Sequence, residues 1–387
     1  MDRVSKIDLI AASKKEFEEK FELKEDSVCI APGRINLIGE HTDYNLGLAM
    51  PIAIDRWVCT VAYKRSDKKV NIHSSNFNKT IGSSLNDLYP KELWEKYILG
   101  CIQVVKDHFD IKEGVDLLIK GNVPIGFGVS SSAALEVSVI GALLSIYNLN
   151  MDSSLILKLS SRVEHEYLDI QSGMLDQYAS IFSKKNNPMI IDFSNLSHQY
   201  IEMNIKNASW ILINSMVDRE LASSKYNQRV SECHEGLDAV NKALKKTLLI
   251  NELTLKDLES IKQEGIIYRR LYHIVSENMR VLSMKEALEK GDIQGAGDLL
   301  NDSHYSLSNN YDVSCNEIES IINISKGQKG FYGGRIMGGG FGGCTINLVE
   351  TSTKDKFIHN VSSLFFDKYK YDLKVECIDF SDGFQIL

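Results

Sequence analysis

The spacing of hydrophobic positions along the chain predicts a mixture of helices and strands. Between residues 92 and 109, apolar side chains recur three and four positions apart, as one buried face of a helix requires. A stripe formed by Ile10, Phe17 and Phe21 predicts another helix near the N-terminus. Short runs of β-branched and aromatic residues predict strands at 28–31, 48–54, 57–63, 70–73, 115–119, 190–193, 210–214, 345–349 and 373–378.

The remaining helical patterns indicate how the chain is organised. They cover residues 130–147, 152–168, 220–245, 266–289 and 355–368, and Asp152 is a predicted N-cap. Strands and helices are mixed without strict alternation, which favours an α+β fold over a doubly wound parallel sheet. Because the pattern restarts with a strand after a break at 195–208, we expect two domains, residues 1–203 and 204–387.

Composition and charge narrow the possible functions. The 387 residues suffice for two or three domains of about 150 residues each. The 44 Lys and Arg against 52 Asp and Glu give a net charge of −8, which disfavours a nucleic-acid partner. The charged first 25 residues do not resemble a signal peptide, and no apolar run approaches the length of a membrane helix. Seven scattered cysteines without a C-x-x-C pair disfavour a zinc site or a disulfide scaffold. We therefore expect a cytoplasmic monomer that binds neither nucleic acid nor membrane.

A polar loop is predicted directly after the first strand. It carries Arg34, Glu40, His41 and Asp43 among glycines that shape the backbone. Four such side chains within ten positions present paired donors and acceptors, as a small polar ligand such as a sugar requires. A metal site at His41 and Asp43 lacks a clustered third ligand in the sequence.

A loop rich in glycine and serine, which we name the phosphate loop, spans residues 123–135. Its glycines, Gly126 and Gly128, allow backbone N–H groups to approach an anion, and Ser130, Ser131 and Ser132 stand where a helix begins. A hydroxyl of Ser131 or Ser132 can reach a phosphate-bound Mg²⁺. The loop is neither a Walker A motif, since no Gly-Lys-Ser/Thr follows, nor a hydrolase nucleophile elbow.

A glycine-dense segment at 333–345 formally contains G-x-G-x-x-G at 338–343. A dinucleotide-binding loop must open a helix, whereas here a strand follows, so this interpretation is rejected. Two alternatives stay open: a tight turn between two strands, and a loop whose backbone presses against another loop or a ligand.

Two acidic residues complete the candidate chemistry. Glu164 falls late in a predicted helix, and Asp176 follows after Gly173 near the start of the next one. One carboxylate can bind Mg²⁺ while the other faces an incoming hydroxyl, which is the division that phosphoryl transfer needs. Together with the polar loop and the phosphate loop, this pair suggests an ATP-dependent small-molecule kinase.

At these residues the chain resembles the galactokinase family, within the GHMP kinases that also include homoserine, mevalonate and phosphomevalonate kinases. The segment 33–45 resembles the galactokinase signature, and 124–134 and 335–345 resemble the second and third family motifs. The segments 173–177, 223–227, 270–280 and 380–383 also match, so the resemblance covers essentially the whole chain.

The resemblance implies a two-domain fold, with an N-terminal domain like domain 2 of ribosomal protein S5, a C-terminal ferredoxin-like domain and an active site in the cleft. It implies transfer of the ATP γ-phosphate to the anomeric hydroxyl of α-D-galactose, as in the Leloir pathway. Catalytic roles fall to Asp176 and Arg34. Sugar contacts fall to Glu40, His41, Asp43, Gly173 and Tyr226, phosphate contacts to Gly126, Gly128, Ser130, Ser131, Ser132 and Ala133, and Mg²⁺ to Ser132 and Glu164.

The sequence departs from the family pattern at three places. Asp218 and Arg219 replace a basic residue and a His, residues 308–310 read Ser-Asn-Asn instead of Arg-Asp-Asp, and Met337 replaces a Thr. The alternatives are therefore a 1-kinase for N-acetylgalactosamine or L-arabinose, and a non-catalytic galactose and ATP sensor. Such sensors lack a dipeptide after the triple serine, whereas Ala133 and Ala134 are present here.

Overall fold

The computed structural model describes residues 4–124, 126–170, 173–217 and 222–387, which form three β-sheets with helices packed on them. The α-helices are Lys6–Phe21 (α1), Leu93–Phe109 (α2), Ser131–Ile146 (α3), Ser153–Arg162 (α4), Leu175–Phe182 (α5), Ala222–Leu244 (α6), Leu255–Leu258 (α7), Ile266–Lys290 (α8), Ile293–Asn309 (α9), Asn316–Lys326 (α10) and Lys354–Tyr369 (α11). The strands are Ser27–Asn36 (β1), Leu48–Ala49 (β2), Pro51–Lys64 (β3), Lys69–Ser74 (β4), Lys79–Ser84 (β5), Val115–Gly121 (β6), Met189–Asp192 (β7), Ser197–Tyr200 (β8), Ala208–Asn214 (β9), Phe331–Met337 (β10), Cys344–Glu350 (β11), Lys374–Ile378 (β12) and Gln385–Ile386 (β13).

The largest sheet supports the phosphate loop. Its order is β13-β1-β3-β6-β4-β5, and only β4 and β6 pair in parallel among the strands of this described sheet. Helix α3 lies on β1 and β3 with α2, α4 and α5 around it, so most of its side chains are buried and its sequence is apolar on every face. The start of α3, and with it the loop before it, is thereby fixed to a rigid layer.

The second half of the chain builds a four-stranded sheet of order β10-β11-β9-β12, and β2, β7 and β8 form a third sheet. The chain leaves the third sheet at Tyr200 and enters the four-stranded one at Ala208, and the predicted boundary at 203–204 falls between them. The last residues return to the first sheet, where β13 pairs with β1 and Phe380 bridges Ile54. The α+β fold class expected from the sequence is confirmed.

Several elements differ from the sequence prediction for identifiable reasons. The strands predicted at 48–54 and 57–63 are joined, because β3 runs unbroken through Asp55 and Arg56. These two charged residues are tolerated inside a strand because the Arg56 guanidinium pairs with the carboxylates of Asp55 and Glu376. The helix expected over 152–168 is α-helical only to Arg162 and continues as a π-helical turn, Val163–Tyr167. Asp152 caps it as predicted, since its side chain accepts from the Ser154 N–H.

Helix α9 escaped prediction because glycine disfavours helices. It contains Gly297, where a Cβ would lie 2.4 Å from the Tyr332 carbonyl oxygen. The glycine is needed because β10 lies against the backbone of α9 at this point. Within the described part of the chain, no helix combines the length and apolar character needed to cross a bilayer.

Candidate active site

The polar loop that follows β1 is held in place by a buried guanidinium. Arg335 on β10 is fully buried, and its Nε donates to the Leu37 carbonyl at 2.9 Å. Other Arg335 nitrogens donate to the Asn36 and Ile336 carbonyls, and Nη1 lies 3.1 Å from Oε1 of Glu40. The same Glu40 oxygen accepts the N–H of Gly338 at 2.8 Å. The predicted sugar-contacting carboxylate is therefore fixed by the glycine-dense segment at 333–345, the third glycine motif.

The third glycine motif forms a hairpin turn between β10 and β11, which was one of the two open alternatives. Its backbone also contacts another loop, as the other alternative proposed, because the Gly338 N–H donates to Glu40 of the polar loop. The motif thus supports Glu40 through a backbone group.

His41 lies among aromatic rings at the centre of the site. It adopts a left-handed backbone with φ of 64°, and its ring centroid lies 5.6 Å from Tyr226 and 4.8 Å from Tyr311. Its Nδ1 bonds the Tyr44 hydroxyl at 2.8 Å, whereas its buried Nε2 has no hydrogen-bond partner among the described residues. Burial lowers the pKa of His41 to about 3, so the imidazole is neutral. An unpaired ring nitrogen at this position fits a hydroxyl ligand.

Asp43 and Gly173 are brought together although they lie far apart in the sequence. A Cβ on Gly173 would lie 2.0 Å from Oδ2 of Asp43, so only glycine permits this approach. Burial, and next the nearby Asp176 carboxylate, raise the pKa of Asp43 to about 7. Glu40 adds a smaller repulsion of the same sign. The site therefore places several carboxylates close together, and the Tyr44 N–H that bonds Asp43 only partly offsets the rise in its pKa.

Asp176 is positioned by a cation and a hydroxyl. Arg34 Nε donates to Oδ1 of Asp176 at 2.8 Å, and Arg34 Nη1 donates to the Gly128 carbonyl at 2.7 Å. Ser130 donates its hydroxyl to Oδ2 of the same carboxylate. Both oxygens of Asp176 are thus oriented, while its side chain stays 32% exposed towards the cleft. This geometry is suited to receiving or orienting a substrate hydroxyl.

The phosphate loop takes the conformation that an anion site needs. Gly126, Gly128 and Ser130 all have left-handed backbones, with φ of 85°, 69° and 58°. Because Ser130 bonds Asp176 instead of capping α3, the first-turn N–H groups of the helix at Ser131, Ser132 and Ala133 are left for a ligand. Val129 anchors the loop, since its carbonyl accepts the Arg34 N–H at 3.0 Å.

Glu164, the second predicted acid, lies in the π-helical turn after α4 and is 7% exposed. Near it is a carboxyl that the sequence patterns did not single out: Glu136, fully buried on α3 one turn beyond Ser132. Burial, and then the charge of Glu164, raise the pKa of Glu136 well above its usual range, so it is a neutral acid. Gln177 donates to it at 3.1 Å. The signal for Glu136 available in the sequence was a single acidic residue within an otherwise apolar helix.

The residues that depart from the family pattern lie in different environments. Met337 is fully buried in the main core, which explains an apolar side chain there. Asn310 offers its carbonyl to Arg270, and its amide bonds Ser306. Asp218 and Arg219 lie outside the described residues.

Comparison with known proteins places this site in a family. Residues 15–65 match the family model of the galactokinase galactose-binding signature, residues 96–184 that of the GHMP kinase N-terminal domain, and residues 284–367 that of the GHMP kinase C-terminal domain. A galactokinase of Clostridium beijerinckii is 35% identical over 379 residues, covering 96% of this chain and 97% of its own. A galactokinase of Fusobacterium nucleatum is 35% identical over 95% of this chain and 97% of its own.

The chain belongs to the galactokinase family.

Structural comparison agrees with this assignment. A crystal structure of Lactococcus lactis galactokinase complexed with galactose superposes with a TM-score of 0.90 at 32% identity, covering 97% of this chain and 99% of the other. A mevalonate kinase, at 19% identity and a TM-score of 0.67, shares the fold. The resemblance to GHMP kinases, the two-domain GHMP fold and the assignment as an enzyme, a sugar kinase, are confirmed. The role of each site residue remains a prediction.

The raised pKa of Asp43 predicts a pH-dependent loss of stability. The folded protein binds a proton at Asp43 up to about pH 7 whereas an unfolded Asp releases it near pH 4, so folding stability is lost as pH rises between these values. The loss is at most about 1.4 kcal/mol per pH unit. Asp43→Asn removes it. In urea unfolding without ligand, the free energy of unfolding of the variant should gain on that of the wild type between about pH 5 and about pH 8. Parallel pH curves for the two proteins contradict the argument.

Proposed function

We propose that this chain transfers the γ-phosphate of ATP to the anomeric hydroxyl of α-D-galactose and releases galactose 1-phosphate. The observation that carries the proposal is the position of Asp176. Its carboxylate is fixed by Arg34 and by Ser130 of the phosphate loop, and its charge acts on Asp43 of the polar loop. A group that links a phosphate site to a polyol site is where phosphoryl transfer takes place. The galactose held by the Lactococcus lactis galactokinase, whose fold superposes on this one, supports the choice of sugar.

The polar loop supplies groups for binding sugar hydroxyls. The carboxylates of Glu40 and Asp43 accept hydroxyl hydrogens, and the unpaired Nε2 of His41 can form a further hydrogen bond to a sugar hydroxyl. Tyr226 and the backbone at Gly173 complete the proposed pocket. A site built to pair such groups rejects ligands that lack the matching hydroxyl, because buried polar groups are then left unsatisfied.

Asp176 and Arg34 are the proposed catalytic pair. Asp176 orients the anomeric hydroxyl and accepts its proton as the bond to phosphorus forms. Arg34 bonds the Asp176 carboxylate and lies where it can balance charge on the phosphoryl group during transfer. Because Arg34 also holds the Gly128 carbonyl, one guanidinium sets the position of both the carboxylate and the phosphate loop.

The residues around the phosphate loop fit Mg²⁺. Within the described residues, no cluster of three or more His, Cys, Asp or Glu forms a protein-only metal cage. Mg²⁺ usually takes one or two protein ligands and completes its shell with phosphate oxygens and water, and Ser132 and Glu164 supply such a pair. When bound, the ion would neutralise phosphate charge, while Ser132 and Glu164 hold it beside the start of α3.

The proposed setting is the cytoplasm, with the chain acting as a monomer on a sugar and ATP alone. The net charge of −8 and the absence of paired cysteines in the sequence support this setting.

A panel of sugars tests the function. ADP release with Mg²⁺-ATP should be dominated by galactose when galactose, N-acetylgalactosamine, L-arabinose, glucose and no sugar are compared. Preference for another sugar would reassign the substrate within the sugar 1-kinases. Galactose binding without ADP release on any sugar would contradict the catalytic proposal and favour a sensor.

Asp176→Asn should lower kcat by at least about a hundredfold, because the amide neither accepts the hydroxyl proton nor attracts Arg34 as an anion does. Asp298→Asn is a matched control, since Asp298 is exposed on α9 and bonds only its helical neighbour Gln294 in the described structure. Thermal unfolding of both variants checks the fold. A folded Asp176→Asn protein with near-normal turnover would refute the role of Asp176.

Glu164→Gln should raise the Mg²⁺ concentration for half-maximal activity at least about tenfold, because a charged ligand of the ion becomes neutral. Glu166→Gln provides the control, because Glu166 lies in the same π-helical turn but pairs with Arg162 at the surface. Activity at each fixed ATP level is titrated with Mg²⁺ for both variants. Equal Mg²⁺ requirements for Glu164→Gln and the control would remove Glu164 from the metal site.

A further inference from the structure

A chain of buried hydrogen bonds leads away from His41 on the side opposite its unpaired nitrogen. Nδ1 of His41 bonds the Tyr44 hydroxyl at 2.8 Å, and that hydroxyl bonds the Tyr311 hydroxyl at 2.8 Å. The Tyr311 hydroxyl lies 3.3 Å from Sγ of Cys233 on α6. Tyr311 and Cys233 are fully buried. We call these four side chains the tyrosine relay.

The direction of the relay follows from the strength of its acceptors. A thiol sulfur is a weak acceptor, whereas the unprotonated nitrogen of a neutral imidazole is a good one. The favoured arrangement therefore has Tyr311 donating to Tyr44 and Tyr44 donating to Nδ1 of His41. In the opposite arrangement a phenol would donate to sulfur. Hydrogen bonds aligned in one direction in a buried chain strengthen one another.

We propose that Tyr311, acting through Tyr44, is a positioning residue that holds His41 as the tautomer protonated at Nε2, and so makes His41 a hydrogen-bond donor to the sugar. A neutral imidazole carries one ring proton, so an accepting Nδ1 places that proton on Nε2. The low pKa of His41, caused by its burial, keeps the ring neutral. The tautomer is a property of the free protein, whereas its use in sugar binding rests on the proposed function.

The neighbours of Tyr311 hold it in position and connect it to the polar loop. Arg229 Nε donates to the Tyr311 carbonyl at 2.7 Å, and Arg270 holds the carbonyl of Asn310 at 2.6 Å. The His273 ring packs against the Tyr311 ring at a tilt of 41° with centroids 4.6 Å apart, and His273 Nε2 bonds the Glu40 carbonyl at 3.1 Å. The end of α9 is thus held in place at the base of the relay.

The relay gives the site a division of donors and acceptors. Glu40 and Asp43 are acceptors when ionised, so they can bind only the hydrogens of sugar hydroxyls. A donating His41 binds the oxygen of a hydroxyl instead. A hydroxyl between His41 and a carboxylate then both accepts and donates, which fixes its orientation. The Nδ1-protonated tautomer would leave the pocket without this donor.

The tautomer is measured first, by long-range ¹H–¹⁵N NMR of the protein labelled at histidine nitrogens, without sugar. The His41 signals are assigned by their loss in His41→Gln. We expect a single neutral tautomer with the proton on Nε2, and mixed tautomers in Tyr311→Phe, where the Tyr44 hydroxyl is free to reverse. A wild-type ring protonated on Nδ1 would overturn the proposal, whatever sugar the enzyme uses.

Kinetics then test the consequence. Tyr311→Phe should raise the KM for galactose about three- to tenfold, the value of one neutral hydrogen bond, and leave the KM for ATP and kcat within about twofold. Tyr305→Phe is the control, because Tyr305 is an exposed tyrosine on α9, just before Tyr311 in the chain.

Thermal unfolding separates a folding defect in Tyr311→Phe from loss of the relay, and Tyr44→Phe supplies a second test of the same tautomer shift. A KM for galactose and a tautomer that are both unchanged in folded Tyr311→Phe would overturn the proposal. If galactose is not a substrate, the NMR result still decides the tautomer, so failure of the proposed function is distinguished from failure of the relay.

Discussion

The arrangement of the candidate site depends on the pairing of one buried charge, the Arg335 guanidinium. A buried cation is costly unless its N–H groups find acceptors, and Arg335 meets three backbone carbonyls and the Glu40 carboxylate. Those acceptors come from β1, from the loop after it and from β10. The first sheet and the four-stranded sheet therefore have to meet for the charge to be satisfied. Closing of the two halves and formation of the polar loop are in this sense a single event.

A second buried charge completes the same support from the other side of the loop. Glu277 on α8 accepts the N–H groups of Gly39 and Glu40 and the Ser303 hydroxyl. Burial acts to raise the pKa of Glu277, but the cations around it, Arg280 first, outweigh this and lower it to about 2. Helices α8 and α9 thus hold the backbone of the polar loop, which explains why family motifs extend so far from the proposed chemistry.

Sequence reasoning reached the parts of the site that are contiguous in the chain. Arg34, Glu40, His41 and Asp43 stand within ten positions, and the glycine–serine loop carries its own signal, so both were predicted from residue types alone. Pairings over long separations were not predictable, because nothing local to Arg335 or Tyr311 shows what each will meet. Glu136 was missed for the same reason: a single acid in an apolar helix is visible, but its neighbours Gln177 and Glu164 appear only in the fold. Helix α9 was hidden because its glycines serve a close backbone approach that propensity does not encode.

The two aspartates of the cleft differ in what stabilises their charge. Asp176 has a guanidinium on one oxygen and a hydroxyl on the other, whereas Asp43 is half-buried near the Asp176 carboxylate, and its pKa rises to about 7. In the proposed reaction the missing donors for Asp43 are sugar hydroxyls. Their hydrogen bonds favour the ionised form, so sugar binding and ionisation of Asp43 support each other. Asp176 needs no such help, because its partners belong to the protein. The residue proposed to bind the sugar is therefore the one whose partners come in part from the ligand, and the residue proposed to act on the hydroxyl is the one whose partners the fold supplies in advance.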